Sequence, residues 1–390
     1  MKDRTRLNHP PTVSVPTDNQ PLVAPVYQSV KFEYPTVVET LRGLKGEREG
    51  FFYSRSSNPT TRQLELTLAA LQGREDAVVC ASGVGAIAQS LLGLLQQGDH
   101  VLCFVETYGP TRTLIRRTLK RYGVSHTMLS IEDDAGIERV LAATPTKLVV
   151  FESPTNPITK IADIARITRA ARQHGALTLL DNTFAGPHQH GQYDVDLFVH
   201  SLTKYVSGHG DVMGGVAIGS AELIRRLRGD FVLLGGTLDP HAAYLLQRGL
   251  KTYFLRYEAQ CATAQRVAEF LTGHEAVARV HYPGLPQHPR HALARQQMRD
   301  FGSVVAFDLR AGAAAGDRFA DSLQLFSIAA SMGSPESLVI PPGLMGPRDL
   351  SPELEQASGI APGTVRLAMG LDDPDDLIAD LAQALEASRI

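Results

Sequence analysis

Short apolar runs alternate with helix-like segments between residues 59 and 180, and this alternation constrains the fold more than any other feature of the chain. The runs that read as buried strands are 77–80, 100–105, 125–129, 147–151 and 177–180. Strands alternating with helices predict an α/β fold with a mostly parallel central sheet covered on both faces. Ligands of such sheets bind beyond the carboxyl ends of the strands, so the residues just after each strand form the candidate site.

Charge and composition exclude several classes of function. The net charge of −3 lacks the excess of positive charge that binding to nucleic acid or an anionic membrane would require. No apolar run approaches the roughly 18 residues of a membrane span. The basic N-terminus is not followed by an apolar stretch, so no secretion signal is expected. Cys80, Cys103 and Cys261 lack metal or redox spacing, which predicts buried thiols in a reducing cytoplasm.

The length of 390 residues exceeds what one hydrophobic core usually serves, so two domains are expected. Residues 1–58 are rich in proline and weakly periodic, which forbids a long helix. They are predicted to form an extended arm that packs on another surface, such as a neighbouring subunit. The alternative is a partly disordered leader, against which the aromatic residues of the second half argue. Residues 59–259 form the predicted large, cofactor-binding domain. The character of the sequence shifts after residue 219, and residues 260–390 form a predicted smaller C-terminal α/β domain.

Lys204 is the first candidate for chemistry. The apolar run 195–199 leads into Ser201, Thr203 and then Lys204, so a strand delivers two hydroxyls and one amine to the same place. Schiff-base formation is the main covalent use of a lysine, and the neighbouring hydroxyls suit a phosphate. Together they indicate pyridoxal 5′-phosphate (PLP). Taken alone, the segment fits a surface lysine after a strand equally well.

Ser82 and the two glycines after it, Gly83 and Gly85, follow the strand 77–80. A serine N-cap and close-approaching glycines at a helix start make a phosphate site. The same segment also matches a degenerate dinucleotide fingerprint, with Glu106 as the acid after the second strand. A nicotinamide-dependent oxidoreductase is therefore a remote alternative, although it leaves Lys204 without a role.

Other strand ends supply further groups. Asp181 could keep a pyridine nitrogen protonated, and Tyr108 could stack on a planar ring. Asn156, between two prolines, could hydrogen-bond a ring oxygen. The guanidinium of Arg366 matches a substrate carboxylate. A turn, a loop aromatic or a surface ion pair would explain each of these residues by itself.

A metal site is a further alternative. His188 and His190 suggest metal ligands, but no third and fourth ligands stand at usable spacing, so no metal is expected.

The chain resembles the Cys/Met-metabolism family of PLP enzymes, which includes cystathionine γ-synthase, cystathionine β- and γ-lyases, methionine γ-lyase and O-acylhomoserine sulfhydrylases. The resemblance covers nearly the whole chain in family order. It rests on the segments 53–60, 81–86, 108–109, 152–157, 181–183, 201–205, 208–212, 248–252, 336–338 and 365–367. It implies the type I fold of PLP-dependent transferases, as in aspartate aminotransferase.

The resemblance also implies roles for residues. Lys204 would carry PLP, Asp181 with Thr183 would face the pyridine nitrogen, and Tyr108 would stack on the ring and help to deprotonate the incoming amine. The amides of Gly83 and Val84 and the hydroxyls of Ser201 and Thr203 would hold the phosphate. Tyr53 and Arg55 would reach the phosphate of a neighbouring subunit, within a homotetramer built from active dimers. Asn156, Ser331 and Arg366 would bind the substrate carboxylate.

Departures from the family pattern bear on the reaction. Phe52 replaces an acid of several cystathionine enzymes, Pro110 replaces the cysteine typical of methionine γ-lyases, and Met332 replaces a tryptophan of many cystathionine β-lyases. Residues 339–343 replace a stretch that usually contains histidine. The resulting prediction is a carbon–sulfur lyase for cystathionine or a related amino acid, which releases a thiol and ammonia and leaves a 2-oxo acid. The alternative is γ-replacement, by a cystathionine γ-synthase or an O-acylhomoserine sulfhydrylase.

Overall fold

The computed structural model describes residues 18–19, 21–345 and 350–388, and the strands in this part of the chain form two sheets. The strands are β1 (Asp76–Cys80), β2 (His100–Phe104), β3 (Ser125–Leu129), β4 (Leu148–Glu152), β5 (Leu177–Asp181), β6 (Leu197–Ser201), β7 (Gly215–Gly219), β8 (Val277–His281), β9 (Val304–Leu309), β10 (Ser327–Ile328), β11 (Leu338–Ile340) and β12 (Thr364–Ala368). The α-helices are α1 (Val37–Leu44), α2 (Pro59–Gln72), α3 (Gly83–Leu94), α4 (Gly109–Thr113), α5 (Asp134–Ala143), α6 (Ile164–Gln173), α7 (Ala221–Leu234), α8 (Pro240–Leu250), α9 (Tyr253–Thr272), α10 (His291–Gln297), α11 (Ala313–Ser322), α12 (Pro352–Ser358) and α13 (Pro374–Ala387).

The larger sheet has the strand order β1-β7-β6-β5-β4-β2-β3. All neighbouring strands pair in parallel except β7, which runs antiparallel to β1 and to β6. The prediction of a mostly parallel α/β sheet is therefore confirmed. The carboxyl ends of β1, β2, β4, β5 and β6 consequently lie along one edge of the sheet.

Both faces of the larger sheet are buried. Consecutive residues of β4, Val149 and Val150, belong to different hydrophobic clusters, and so do Leu180 and Leu179 of β5. Strands with two buried faces are apolar throughout rather than alternating. This explains why the sequence shows continuous apolar runs at these positions.

Strand β7 was missing from the sequence prediction because glycine stands at both of its ends. A Cβ on Gly215 would lie 2.0 Å from the carbonyl oxygen of Ser82, so the backbone of β7 approaches the β1–α3 turn too closely for a side chain. Glycine weakens the strand signal of a sequence, although here it is what the packing of the strand requires.

The spacing of apolar residues in the sequence predicts one helix over 111–122 and one over 239–271, and both differ in detail from this prediction. The segment 111–122 begins as α4 and continues through a π-helical turn, Leu114–Thr118, and a 3-10 turn, Leu119–Tyr122. The spacing of apolar residues in a sequence does not distinguish α-, π- and 3-10-helical turns, because each type brings side chains back to the same face after three to five residues. The helical stretch 239–271 divides into α8 and α9, and Arg256 of α9 donates to the carbonyl of Gly249 at 2.7 Å. None of the described helices is long and apolar enough to cross a membrane.

The smaller sheet has the strand order β10-β11-β12-β9-β8. Apolar runs at 302–309 and 364–368 of the sequence predict β9 and β12, but no prediction covers β8, β10 or β11. In β8 the exposed Arg279 interrupts the apolar run. The predicted boundary between residues 259 and 260 falls inside α9, which packs against β8 and β9. The division into a large and a small domain stays a prediction.

The described part of the arm, residues 18–19 and 21–58, contains no helix other than α1, and no residue of α1 is buried. The helix begins after Thr36, whose hydroxyl accepts a hydrogen bond from the amide of Glu39 at 3.1 Å. Apolar side chains of the arm face outward, with Val37 76% exposed and Leu41 50% exposed. Residues 1–17 and 20 of the predicted arm lie outside the described residues.

Candidate active site

A cavity of about 290 Å³ lies at the carboxyl edge of the larger sheet. It is lined by every residue predicted for the site except Tyr53 and Arg55. These residues are Gly83, Val84, Tyr108, Asn156, Asp181, Thr183, Ser201, Thr203, Lys204, Ser331 and Arg366. The cavity lies between the two sheets, because Arg366 comes from β12 and Lys204 follows β6.

Lys204 stands in the turn that follows β6, and its Nζ donates a hydrogen bond to Ser331 Oγ at 3.0 Å. Burial, and then the positive charge of Arg366, lower the pKa of the Lys204 amine from its usual value. Both causes disfavour the ammonium form. A lysine in this state is suited to act as a nucleophile or a base.

The turn from β1 into α3 approaches the end of β6 very closely. Ser82 caps α3 and accepts a hydrogen bond from the Gly85 amide at 3.0 Å. A Cβ on Gly83 would lie only 2.6 Å from the Cβ of Ser201. This arrangement leaves the first amides of α3 beside the hydroxyl of Ser201, with Thr203 on the same cavity wall. Helix amides and hydroxyls of this kind suit a phosphate.

Two buried carboxyl groups lie side by side, because Glu152 ends β4 and Asp181 ends β5 in paired register. Asp181 accepts hydrogen bonds from the hydroxyl of Thr183 at 2.6 Å and from its amide at 3.1 Å. Burial raises the pKa of Asp181. Burial, and then the charge of Asp181, raise the pKa of Glu152 well above its usual range.

Glu152 was given no role from the sequence, since its pairing with Asp181 depends on the strand order. Asp181 makes no ion pair within the described residues. A buried carboxylate without an ion pair is stabilised by a nearby cation, and a protonated pyridine nitrogen is such a cation.

Arg366 is buried, and its guanidinium lies 5.3 Å from the centroid of the Phe184 ring. One nitrogen donates to the Ser331 carbonyl at 2.8 Å and another to Asn156 Oδ1 at 3.3 Å, while Nε has no partner among the described residues. Burial lowers the pKa of Arg366 to about 10. The side chain is still charged at neutral pH, and its free donor suits an anionic group of a ligand.

Tyr108 lies at the mouth of the cavity, with 41% of the residue exposed. Its amide donates to a carboxylate oxygen of Glu152. Burial, and then the negative charges of Glu152 and Asp181, raise the pKa of the Tyr108 phenol. The phenol of this chain therefore holds its proton more tightly than an exposed tyrosine does.

Tyr53 and Arg55 do not line the cavity of their own chain. Tyr53 is 39% exposed, and the guanidinium of Arg55 lies 5.2 Å from the centre of its ring. The two residues belong to the outward-facing arm, beside the single bridge between Tyr53 and Lys31.

The acid required by the dinucleotide alternative is already engaged. Glu106 accepts from Lys160 Nζ at 2.7 Å, from Ser130 Oγ at 2.8 Å and from the Ile131 amide at 3.0 Å. Glu106 is buried, so its carboxylate holds neighbouring segments of the chain together and is not accessible to a ribose.

The two histidines considered for a metal also serve the packing of this region. His188 Nδ1 lies 2.8 Å from the Tyr253 hydroxyl, and His190 Nδ1 lies 2.7 Å from Asn182 Oδ1. Burial lowers the pKa of His188 to about 4 and that of His190 to about 3, so both rings are neutral at physiological pH.

A sequence model of the family described as Cys/Met metabolism PLP-dependent enzymes matches residues 12–386. The chain belongs to this family. The match confirms the predicted family, the predicted PLP cofactor and the prediction of a PLP-dependent enzyme. It leaves the nicotinamide-dependent alternative without support.

Similar proteins cover nearly the whole chain. L-methionine gamma-lyase of Pseudomonas putida is 45% identical over 372 residues, which are 94% of this chain and 93% of that protein. The structure of cystathionine gamma synthase from Xanthomonas oryzae pv. oryzae, in complex with aminoacrylate and cysteine, has a TM-score of 0.88 and 35% identity, with 94% of each chain covered.

A protein of Campylobacter jejuni, named as an O-acetylhomoserine (thiol)-lyase, contains N′-pyridoxyl-lysine-5′-monophosphate. Its structure matches with a TM-score of 0.88 and 33% identity, over 96% of this chain and 97% of that chain. These relatives bear out the predicted fold class. They also confirm a carbon–sulfur lyase at the level of the family and include the replacement enzymes given as the alternative.

Proposed function

We propose that this chain is a PLP-dependent γ-lyase for methionine-type thioether amino acids. With L-methionine and water as substrates, the Cγ–S bond breaks and the products are methanethiol, ammonia and 2-oxobutanoate. The observation that carries the proposal is the closeness of an amine and a guanidinium in one buried cavity. Lys204 contacts the hydroxyl of Ser331, and Arg366 contacts the carbonyl of the same residue.

The residues of the cavity suit PLP. Lys204 would hold the cofactor covalently, Asp181 would face its pyridine nitrogen, and Thr183 would orient Asp181. Ser201 and Thr203, with the amides of Gly83 and Val84, would hold its phosphate. When bound, PLP withdraws electrons from Cα of an amino acid and so makes the Cα proton acidic.

Proton transfer would fall to Lys204 and Tyr108. The lowered pKa of Lys204 increases the neutral fraction of its amine, which is the form that accepts a proton from Cα. The raised pKa of Tyr108 keeps a proton on the phenol oxygen, from which it can pass to a leaving sulfur. A role for Tyr108 as a base toward the incoming amine would require cations beyond those that face it in one chain.

A second chamber of about 210 Å³ opens beyond Tyr108, Asn156 and Arg366. Its apolar lining consists of Val105, Pro110, Pro157, Ile158, Ile340, Leu344, Met345 and Ile360. Apart from Arg366, the charged residues of its lining are engaged, because Glu106 pairs with Lys160 and Arg112 donates to the carbonyls of Val105 and Thr107. This lining favours an uncharged thiol as the leaving group over the cysteine part of cystathionine.

We further propose that Tyr53 and Arg55 complete the site of a second copy of the chain, in active dimers that assemble into a cytoplasmic homotetramer. The support is that they lie on an arm with outward-facing side chains and do not line the cavity of their own chain. An arm with exposed apolar side chains needs another surface to cover it.

The second candidate is γ-replacement, in which a thiol replaces the acyloxy group at Cγ of an O-acylhomoserine and the carboxylic acid is released. The relatives named cystathionine gamma synthase and O-acetylhomoserine (thiol)-lyase favour it. The two functions differ in whether the product retains the amino group.

A visible spectrum of the purified protein and an assay for 2-oxo acids would test the proposal. We expect a cofactor band and 2-oxobutanoate from L-methionine, with slower release from cystathionine. Pyruvate from cystathionine would indicate β-elimination instead. A thioether product that forms only when O-acylhomoserine and cysteine are both present, without 2-oxo acid from methionine, would favour replacement. A colourless protein that PLP cannot reconstitute would overturn both functions.

A further inference from the structure

Buried hydrogen bonds join the two segments that meet at the proposed carboxylate site. Asn156 lies in the loop 155–160, which follows β4 of the larger sheet, whereas Arg366 lies in β12 of the smaller sheet. The direct contact between them is one hydrogen bond of 3.3 Å. A contact of this length fixes the spacing of two elements poorly, so other interactions must set it.

The first part of the connection is the loop itself. The Thr159 amide donates to the Thr155 carbonyl at 3.0 Å, and the Thr155 amide donates to the Lys160 carbonyl at 3.0 Å. Thr159 is buried and has a left-handed backbone, with φ at 48°. These contacts close the loop, so Asn156 moves with Thr159 rather than independently of it.

The second part crosses the smaller sheet. Thr159 Oγ1 donates to the carbonyl of His281 in β8 at 3.2 Å. His281 Nε2 lies 2.8 Å from Asp308 Oδ2 in β9, and the Thr364 hydroxyl of β12 donates to Asp308 Oδ1 at 2.6 Å. Thr159, His281, Asp308 and Thr364 are all buried, and Thr364 is two residues before Arg366.

Asp308 is the shared acceptor of this connection. Because an ionised carboxylate only accepts hydrogen bonds, His281 Nε2 carries a proton and donates it. Burial alone would raise the pKa of Asp308, but hydrogen bonds from His281 and Thr364, with the charge of Arg279, hold that pKa below its usual value. The carboxylate therefore stays ionised and engaged at neutral pH.

We propose that the buried series of hydrogen bonds Thr159–His281–Asp308–Thr364, here called the inter-sheet tie, positions Asn156 against Arg366. The tie thereby sets the affinity for the substrate carboxylate. Its members are positioning residues, because none of them lines the cavity. This inference rests on the carboxylate role of Arg366 in the proposed function. It adds that the affinity depends on residues in β8 and β9.

The test uses Thr159→Val and Thr364→Val in the PLP-loaded enzyme. Valine has the shape of threonine and the same β-branching, so each change removes a hydroxyl without adding backbone strain. Binding of L-norleucine is followed by the change in cofactor absorbance, and binding of pentylamine, which lacks only the carboxylate, is followed in the same way. Neither ligand carries a sulfur, so the measurement does not require C–S cleavage.

We expect each variant to weaken norleucine binding about fivefold and to leave pentylamine binding within about twofold. Thr159→Val removes one hydrogen bond, whereas Thr364→Val removes both the bond to Asp308 and the bond that the Thr364 hydroxyl accepts from the Ala361 amide at 2.9 Å. Thr168→Val is the matched control, because Thr168 is also buried and its hydroxyl donates to a backbone carbonyl, that of Ile164, at 2.9 Å. It lies in α6 outside the tie and should change neither ligand.

The double variant sharpens the test. Since Thr159 and Thr364 belong to one connection, breaking both should cost little more than breaking one. Equal weakening of both ligands, unchanged norleucine binding in the single variants, or strictly additive effects would overturn the proposal. If the wild-type enzyme binds norleucine no better than pentylamine, the carboxylate role of Arg366 fails and the tie fails with it. If norleucine behaves as expected but methionine is not cleaved, only the proposed reaction fails.

Discussion

The cavity around Lys204 and the N-terminal arm differ in how their side chains are covered. In the cavity, Lys204, Asp181 and Arg366 are held by hydrogen bonds to residues of the same chain. In the arm, apolar residues such as Val37 face outward, and α1 has no buried residue. In the proposed dimer, one chain would supply the groups that surround the cavity, and the arm would pack on the second copy. The following predictions test each side of this contrast.

The largest expected effect comes from Lys204→Ala. If Lys204 holds PLP and moves the Cα proton, the variant should lose its tightly held cofactor band and at least on the order of 10³-fold in turnover. The fold should persist, because the side chain lies in a cavity rather than in the packed core. Absorbance after dialysis and 2-oxo acid release measure the two losses. Lys120→Ala, at an exposed lysine, is the control. Normal turnover by the Lys204 variant would refute the assignment.

Arg366→Ala should have a smaller effect, confined to substrate binding. Loss of a buried charged donor set should raise KM for methionine about 10²-fold, with a much smaller change in kcat. Steady-state kinetics with Arg310→Ala, an exposed arginine, as the control would measure this. An unchanged KM would remove Arg366 from the carboxylate role.

The smallest expected effect is on stability. The raised pKa of Glu152 means that its ionised form destabilises the folded chain above that pKa, and that stability is regained as the pH falls. Glu152→Gln should therefore raise the melting temperature of the PLP-free protein by about 2–4 °C at mildly alkaline pH. The gain should shrink as the pH is lowered and the wild-type carboxyl takes up its proton. Thermal melts across pH would show this, and a gain that grows on acidification would contradict it.

Local sequence signals point to several residues that line the cavity. Lys204 and Asp181 follow apolar runs that could be recognised as strands without knowing which strands pair. Glu152 could not be assigned in the same way, because its effect on Asp181 arises only when β4 and β5 lie side by side. Strand β7 was missed since its glycines serve a close backbone approach that the sequence does not display. The inter-sheet tie depends on residues more than a hundred positions apart, so no local pattern points to it.

Complementation between two inactive variants tests the contrast most directly. Lys204→Ala and Arg55→Ala chains are co-expressed with different tags, the mixed assembly is isolated, and 2-oxobutanoate release from methionine is measured. If Arg55 acts in the cavity of a second chain, one site of each mixed dimer combines an intact Lys204 with an intact Arg55. The account predicts that the mixture regains a substantial part of wild-type turnover, although the Lys204→Ala assembly is inactive and the Arg55→Ala assembly is impaired. The account would be contradicted if the mixture turned over no faster than its Arg55→Ala chains do alone. Arg55 would then act only within its own chain.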